Sequence, residues 1–278
     1  MKKYVFIDID GTLFDAKRHE VPASALKALR MAKDNGHELF ICTGRPKPVV
    51  ESSYLSLPIS GVVYAGGTHI ELGNQIIYQG EFPAHRLDEI VNHMIENDME
   101  FTLEGAQRNY YSDKCYLRFK EYFCSKADPD SEMHRRFEER KVICDFKDYK
   151  PEDASQVAKI DLFAKNDEKV REYINHLPEE LEGFLYTETT DEIIEGEILI
   201  KGISKASGID RVIEYFGAGL KDTIAIGDSS NDLPMIRHAA MGIAMGNAGD
   251  LIKKEADFVT TSIDQDGLYN AFKAAGLI

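Results

Sequence analysis

Tyr4-Val5-Phe6-Ile7-Asp8-Ile9-Asp10-Gly11-Thr12-Leu13 opens the chain with a short apolar run that stops abruptly at two carboxylates. Two later stretches repeat the design. Glu38-Leu39-Phe40-Ile41-Cys42 stops at Thr43-Gly44-Arg45, and Thr223-Ile224-Ala225-Ile226 stops at Gly227-Asp228. Near-continuous apolar runs of this length suit strands buried on both faces of a parallel sheet. Between the first two, the stretch Pro22 to Asn35 places Ala25, Leu26, Leu29 and Ala32 on one helical stripe, with Pro22 in the first turn and Gly36 as a stop. Strand, helix, strand is a βαβ unit, and the alternation resumes after about residue 197. The expected fold class is therefore α/β, built on a Rossmann-like parallel sheet. Ligands of open α/β sheets bind outside the carboxyl ends of the strands, where all three polar segments fall.

The 278 residues carry 33 Lys+Arg against 48 Asp+Glu, a net −15, which argues against nucleic acid or an anionic membrane as a partner. No apolar run approaches the ~20 residues that span a bilayer, and the apolar run after Met1-Lys2-Lys3 is too short for a signal-peptide core. Cys42, Cys115, Cys124 and Cys144 form no C-x-x-C pair and suggest no disulfide framework, so reduced thiols and a cytoplasmic location are expected. Residues 81–190 hold 16 basic and 26 acidic residues, against 17 and 22 in the flanks. Helical patterns (Leu87 to Ile95, Lys169 to Leu177) and β-like runs (Val157 to Phe163, Phe184 to Thr187) alternate there. This predicts an α+β domain at 81–190, inserted into a core made of 1–80 and 191–278.

The chemistry-bearing residues sit at the strand ends. Positions i and i+2 of a strand point the same way, so Asp8 and Asp10 would repel unless a cation or a shared proton intervenes. Hard oxygens of this kind suit Mg²⁺, although Asp10-Gly11 also has the composition of an ordinary turn. A calcium loop is excluded, because Leu13 stands where it needs Gly and His19 where it needs Glu. Gly227-Asp228-Ser229-Ser230-Asn231-Asp232 supplies two more carboxylates and a carboxamide at a strand-to-helix turn, more than a helix cap requires. Thr43 and Gly44 offer a hydroxyl and a free N–H at a potential anion site. Lys201 and Lys205 flank Gly202-Ile203-Ser204, where a helix begins, and either could balance phosphate charge in an acidic pocket. No H-x-x-x-H pair, Walker-type loop or G-x-S-x-G elbow occurs, and the basic run from His134 to Lys141 is interleaved with Glu138 and Glu139, as on a solvated helix face.

Taken together, Asp8-Ile9-Asp10-Gly11-Thr12-Leu13, Thr43-Gly44-Arg45, Lys205 and Gly227 to Asp232 resemble the four ordered motifs of the haloacid dehalogenase (HAD) superfamily. The tail, with Ala244-Met245-Gly246-Asn247-Ala248, Ala256-Asp257-Phe258-Val259-Thr260 and Asp266-Gly267, is similar to the Cof-type, class IIB sugar-phosphatase-like branch. One departure is Ala65-Gly66-Gly67-Thr68, where the family commonly has Asn-Gly-Ala. The resemblance implies the HAD fold with an α+β cap and a Mg²⁺-dependent phosphatase acting on a small phosphorylated metabolite, with a sugar phosphate the leading class. It implies Asp8 as nucleophile, forming an aspartyl-phosphate, and Asp10 as general acid and base. Mg²⁺ would be held by Asp8, the Asp10 main-chain carbonyl and Asp228, with Asn231 and Asp232 one step outward. Thr43, Gly44, Arg45, Lys205 and Asn231 would hold phosphate, Lys205 also serving catalysis. Arg108, Tyr110, Lys114 and His134 are the polar candidates of the insert. A phosphomutase of the same fold and a non-catalytic phospho-ligand binder are the alternatives, and no protein partner is implied.

Overall fold

The structure, a computed structural model, describes residues 1–126, 142–165, 168–185 and 193–278. Thr187 and His134 lie outside them. The chain divides into two compact units, one comprising Met1–Arg45, Ser52–Gln79 and Ile203–Ile278, the other Pro46–Glu51 and Gly80–Gly202.

The first unit is built on an eight-stranded sheet. Its strands are β1 (Tyr4–Ile7), β2 (Glu38–Cys42), β3 (Gly61–Tyr64), β4 (His69–Leu72) and β5 (Gln75–Gln79), then, after the second unit's strands, β12 (Thr223–Gly227), β13 (Met241–Ala244) and β14 (Phe258–Val259). Their order is β14-β13-β12-β1-β2-β3-β4-β5, parallel from β14 to β3 and closed by an antiparallel β3-β4-β5 meander. Every residue of β1, β3 and β12 is buried, as their unbroken apolar sequences require of central parallel strands. Because β1 pairs with β2 on one side and β12 on the other, the three polar segments that follow them emerge together at one sheet edge.

Helices α1 (Ala23–Asp34) and α2 (Ser52–Leu55) belong to the first half of this unit, and α1 buries Ala25, Ala28, Leu29 and Ala32. Leu26, expected on that stripe, is only half-buried; Ala28 takes its place. Gly36 ends the helix at φ +87, with its N–H on the Lys33 carbonyl and the His37 N–H on Ala32. That reciprocal closure requires the left-handed backbone glycine tolerates.

The second unit contains α3 (Ala84–Glu96), α4 (Asp113–Lys126) and α5 (Glu168–Asn175) with strands β6 (Glu100–Gly105), β7 (Asn109–Tyr111), β8 (Ile143–Asp145), β9 (Val157–Lys165), β10 (Leu181–Leu185) and β11 (Ile193–Ile200). They form a sheet of order β10-β11-β9-β6-β7-β8, antiparallel except for the β7–β8 pair. The expected return to the core was at residue 191; β11 instead pairs with β9 and β10, and its unit runs to Gly202. Alternation along β6 and β9 sorts the side chains. Phe101, Leu103, Ile160 and Leu162 join the core with Leu87, Ile90 and Met94 of α3, while Glu104, Lys159 and Asp161 point the other way. There Lys159, 4% exposed, is within ion-pair distance of Glu104 (3.1 Å), Asp161 (3.0 Å) and Glu197 (2.6 Å).

The remaining helices of the first unit are α6 (Lys205–Tyr215), α7 (Leu233–His238), α8 (Asp250–Glu255) and α9 (Gly267–Ala274). Cys42, Cys115 and Cys144 are buried. Among the described residues, no helix is long and apolar enough to cross a membrane.

Candidate active site

Asp8 is the first residue beyond β1 and is 4% exposed; its N–H still donates to the Ile226 carbonyl of β12, so the sheet ladder fixes its backbone. Gly11 then turns the chain at φ +78, and a Cβ there would lie 2.2 Å from Asp228 Oδ2. Only glycine lets the two segments approach this closely.

Lys205 comes from the other half of the unit. Ser204 caps α6 by accepting from the Ser207 N–H, which sets Lys205 at the first helical position with its side chain buried. Its ammonium donates to Asp8 Oδ1 at 2.7 Å, Asp232 Oδ1 at 2.5 Å and Asn231 Oδ1 at 3.3 Å. Lys201, the other lysine flanking that turn, is exposed. Asp232 is fully buried, and its second oxygen accepts from the N–H groups of Asp228 and Ser229 at 2.9 and 3.0 Å. It thereby folds the turn after β12 and presents Asp228. These residues exceed what a helix cap requires, yet Asp232 does close the cap onto the Ser229 N–H while also pairing with Lys205.

One oxygen from each of Asp8, Asp228 and Asp232 lies within 4.8 Å of the others. Three carboxylates facing one ammonium leave surplus negative charge. Burial first, and the charge of Asp232 second, push the Asp8 carboxyl up to about 8 against the pull of Lys205; the same causes push Asp228 up to about 7. Burial alone would lower Lys205, but Asp232 and Asp8 outweigh it and hold the ammonium charged. Hard carboxylate oxygens in electrostatic deficit fit a divalent cation, and Asp8 and Asp228 are the two not committed to folding the turn.

The second motif meets the same edge. Thr43, 1% exposed, donates its N–H to the Val63 carbonyl and accepts the Arg45 N–H on its hydroxyl at 3.0 Å. A Cβ on Gly44 would sit 3.2 Å from Asn231 Nδ2, so this loop and the turn after β12 are in contact. Arg45 was expected on phosphate. Here its guanidinium grips the Asp10 carboxylate in a two-pronged pair, Nε to Oδ2 at 2.8 Å and a terminal nitrogen to Oδ1 at 2.5 Å, and lies 5.9 Å from the Tyr54 ring centroid. Asp8 and Asp10 thus have different partners. The strand ends at Ile7, so the i, i+2 rule does not reach Asp10, whose side chain is 52% exposed.

Asn247 was quoted from the tail without a role. Its amide donates to Asp228 Oδ2 at 3.2 Å and to the Gly11 carbonyl at 2.9 Å. The signal was present: like the other site residues, it follows a buried strand, β13, that runs parallel to β12. Of the insert candidates, Lys114 pairs with Asp98 and Glu100, and Tyr110 is buried with its ring edge-on to Tyr149 at 5.3 Å.

A family model described as haloacid dehalogenase-like hydrolase matches residues 5–272. The chain is 30% identical over 278 residues to YkrA of Bacillus subtilis (strain 168), covering 99% of this chain and 98% of that one. It is 24% identical over 275 residues to the 5-amino-6-(5-phospho-D-ribitylamino)uracil phosphatase YitU of the same organism, covering 97% and 96%. The solved structure of BT4131, a sugar phosphatase of HAD subclass IIB, superposes with a TM-score of 0.77 at 28% identity over the full length of both chains.

Proposed function

Because this chain belongs to the haloacid dehalogenase-like hydrolases and is a phosphatase of that family, we propose that it hydrolyses a small phosphorylated metabolite, a sugar or polyol phosphate, through an aspartyl-phosphate on Asp8. The observation that carries this reading is the buried Asp8 carboxylate with one oxygen engaged by Lys205. With Oδ1 so held, Oδ2 is the oxygen that attacks phosphorus, and the bond from phosphorus to the leaving alkoxide breaks. Asp10 gives that alkoxide its proton. It then takes one from the water that attacks the aspartyl-phosphate, releasing inorganic phosphate and regenerating Asp8. Arg45 keeps the Asp10 carboxyl oriented, while Lys205 supplies positive charge and the Thr43 hydroxyl and Gly44 N–H serve as donors for the phosphoryl oxygens. Asp8 and Asp228, with the Asp10 main-chain carbonyl, are the residues that would hold Mg²⁺, which when bound neutralises charge on the transferring group. Asn231 and Asp232 act one step outward, on Lys205 and on the Asp228 backbone.

The relatives support the substrate class, since YitU is named for a phosphorylated ribityl compound and BT4131 for sugar phosphates. The test is phosphate release from a panel of sugar phosphates, polyol phosphates and p-nitrophenyl phosphate. Release should require Mg²⁺, stop in excess EDTA and vanish in Asp8→Asn with the fold intact. Full activity in Asp8→Asn or in EDTA refutes the mechanism; conversion of a hexose phosphate to its isomer without phosphate release identifies a mutase instead.

A further inference from the structure

We propose that Asn247 is the positioning residue for the Asp228 carboxylate and thereby sets the protein's affinity for Mg²⁺ over larger divalent ions. This rests on the reading of Asp228 as a metal ligand. The backbone brings Asn247 there by design of the sheet. β13 pairs in parallel with β12, the Met245 N–H continues that pairing onto the Gly227 carbonyl at 2.9 Å, and the Gly246 N–H binds the Thr261 carbonyl at 3.0 Å. A Cβ on Gly246 would lie 2.4 Å from the Ser262 nitrogen, so the loop is pressed between the Asp228 turn and the tail segment.

The amide at the tip of this loop can face only one way. Its Oδ1 accepts the Ile263 N–H at 2.9 Å, a group that can only donate. Its Nδ2, which can only donate, therefore turns to the Gly11 carbonyl at 2.9 Å and Asp228 Oδ2 at 3.2 Å. Asp228 Oδ1 faces the Thr12 hydroxyl at 3.5 Å, and Gly11 closes the remaining side. One amide thus joins the nucleophile loop, the carboxylate at the end of β12 and the tail segment. It does so as a neutral donor, orienting the carboxylate without adding a charge that would compete with a cation.

Mg²⁺ demands near-ideal octahedral geometry at short range, whereas Ca²⁺ accepts flexible, larger shells. A carboxylate freed to rotate therefore penalises Mg²⁺ more than Ca²⁺, and loss of an outer-shell partner typically weakens metal binding by about 10–100-fold. Asn247 is exposed, so its truncation opens no cavity in the core.

The experiment measures Mg²⁺ and Ca²⁺ binding by titration calorimetry on the full chain and on Asn247→Ala, Asn270→Ala and Asp228→Asn, with thermal unfolding in EDTA for each. Asn270 bonds Thr261 and Gln265 in the same tail segment without touching Asp228, so its variant loosens the segment alone. The expected result is Mg²⁺ affinity weaker by about 10–100-fold in Asn247→Ala, with Ca²⁺ affinity changed less than about threefold, and neither changed in Asn270→Ala. Wild-type Mg²⁺ affinity in Asn247→Ala, or an equal loss for both ions shared by Asn270→Ala, overturns the inference while the site reading stands. If the wild type binds no Mg²⁺, or Asp228→Asn binds it equally well, the site reading itself fails and takes the inference with it.

Discussion

Replacing Lys205 by Met keeps the length and most of the volume of the buried side chain and removes its charge, so the consequence is electrostatic. Lys205 lies 2.7 Å from Asp8 and 2.5 Å from Asp232, and it is 2% exposed. At an effective dielectric constant of about 20, each contact contributes roughly 6 kcal/mol of Coulomb attraction. Desolvation of the ammonium offsets several kcal/mol of that sum, and breaking a buried ion pair from one side typically leaves a net loss of about 3–5 kcal/mol. The loss should depend on pH in a defined sense. A carboxyl whose folded-state pKa is raised above its unfolded value costs the fold stability progressively as pH rises from the unfolded value to the raised one, and by a constant amount above it. Two proteins that differ only in how far it is raised therefore diverge above the lower of the two raised values. Asp8 already stands at about 8 with Lys205 present, and without it moves higher. Urea unfolding in EDTA should therefore show Lys205→Met less stable than wild type by about 3–5 kcal/mol at pH 9, with a smaller deficit at pH 6. Excess Mg²⁺ at pH 9 should narrow the deficit by supplying the missing charge, while phosphatase activity stays lost. A deficit below about 1 kcal/mol at pH 9, or one of the same size at both pH values, would show that the ammonium does not hold these carboxylates together.

Three further outcomes are expected. Ala65 adopts φ +45, a left-handed backbone that costs a residue with a Cβ about 1–2 kcal/mol, so Ala65→Gly should raise stability by about 0.5–1 kcal/mol after glycine's entropy is counted; an unchanged or lower Tm contradicts the strain. Burial opposes it, but Lys2, Lys33 and Ser60 hold the Glu38 carboxyl down at about 2, so its stabilisation is present above the unfolded value near 4.5 and disappears as pH falls toward 2. Since both lysines are partly exposed, the gap between wild type and Glu38→Gln should be about 1–2 kcal/mol at pH 7 and close as pH falls from about 4.5 to about 2; a gap constant with pH refutes this. Lys159→Met removes the cation shared by Glu104, Asp161 and Glu197 and should cost about 3–5 kcal/mol, part of which Glu104→Gln added in the same chain restores; a double variant no more stable than the single one rules out charge as the cause.

The central strands were legible because burial on both faces leaves unbroken apolar runs, and β1, β2 and β12 then announce a shared edge by the polar residues that follow them. Asp8 and Asp228 were legible for the same reason, each following a buried strand, whereas the residues left Lys201 and Lys205 open and only the family resemblance favoured Lys205. The grip of Arg45 on Asp10 was not, since it depends on where the chain turns after the strand stops at Ile7. Nor was the hub at Asp232, whose partners are two backbone N–H groups and a lysine from a different segment. In the second unit β11 escaped the boundary expected from local patterns and composition, because its pairing with β9 is a matter of register that neither carries.

The wiring of the central sheet also puts the site on a clock. β1 lies between β2 and β12, and the contact of Thr12 with Asp228 spans 216 positions of chain. At synthesis rates of roughly 5–20 residues per second, the loop carrying Asp8 exists for about 10–40 s before the turn after β12 is made. Through that interval one edge of β1 is an open row of backbone donors and acceptors, the kind of template that recruits unwanted strands. A growing chain thus exposes its most vulnerable edge before it can do any chemistry. Truncation anywhere before β12 leaves Asp8 without the turn that carries Asp228 and Asp232, so an unfinished chain lacks two of the three carboxylates that gather at this edge.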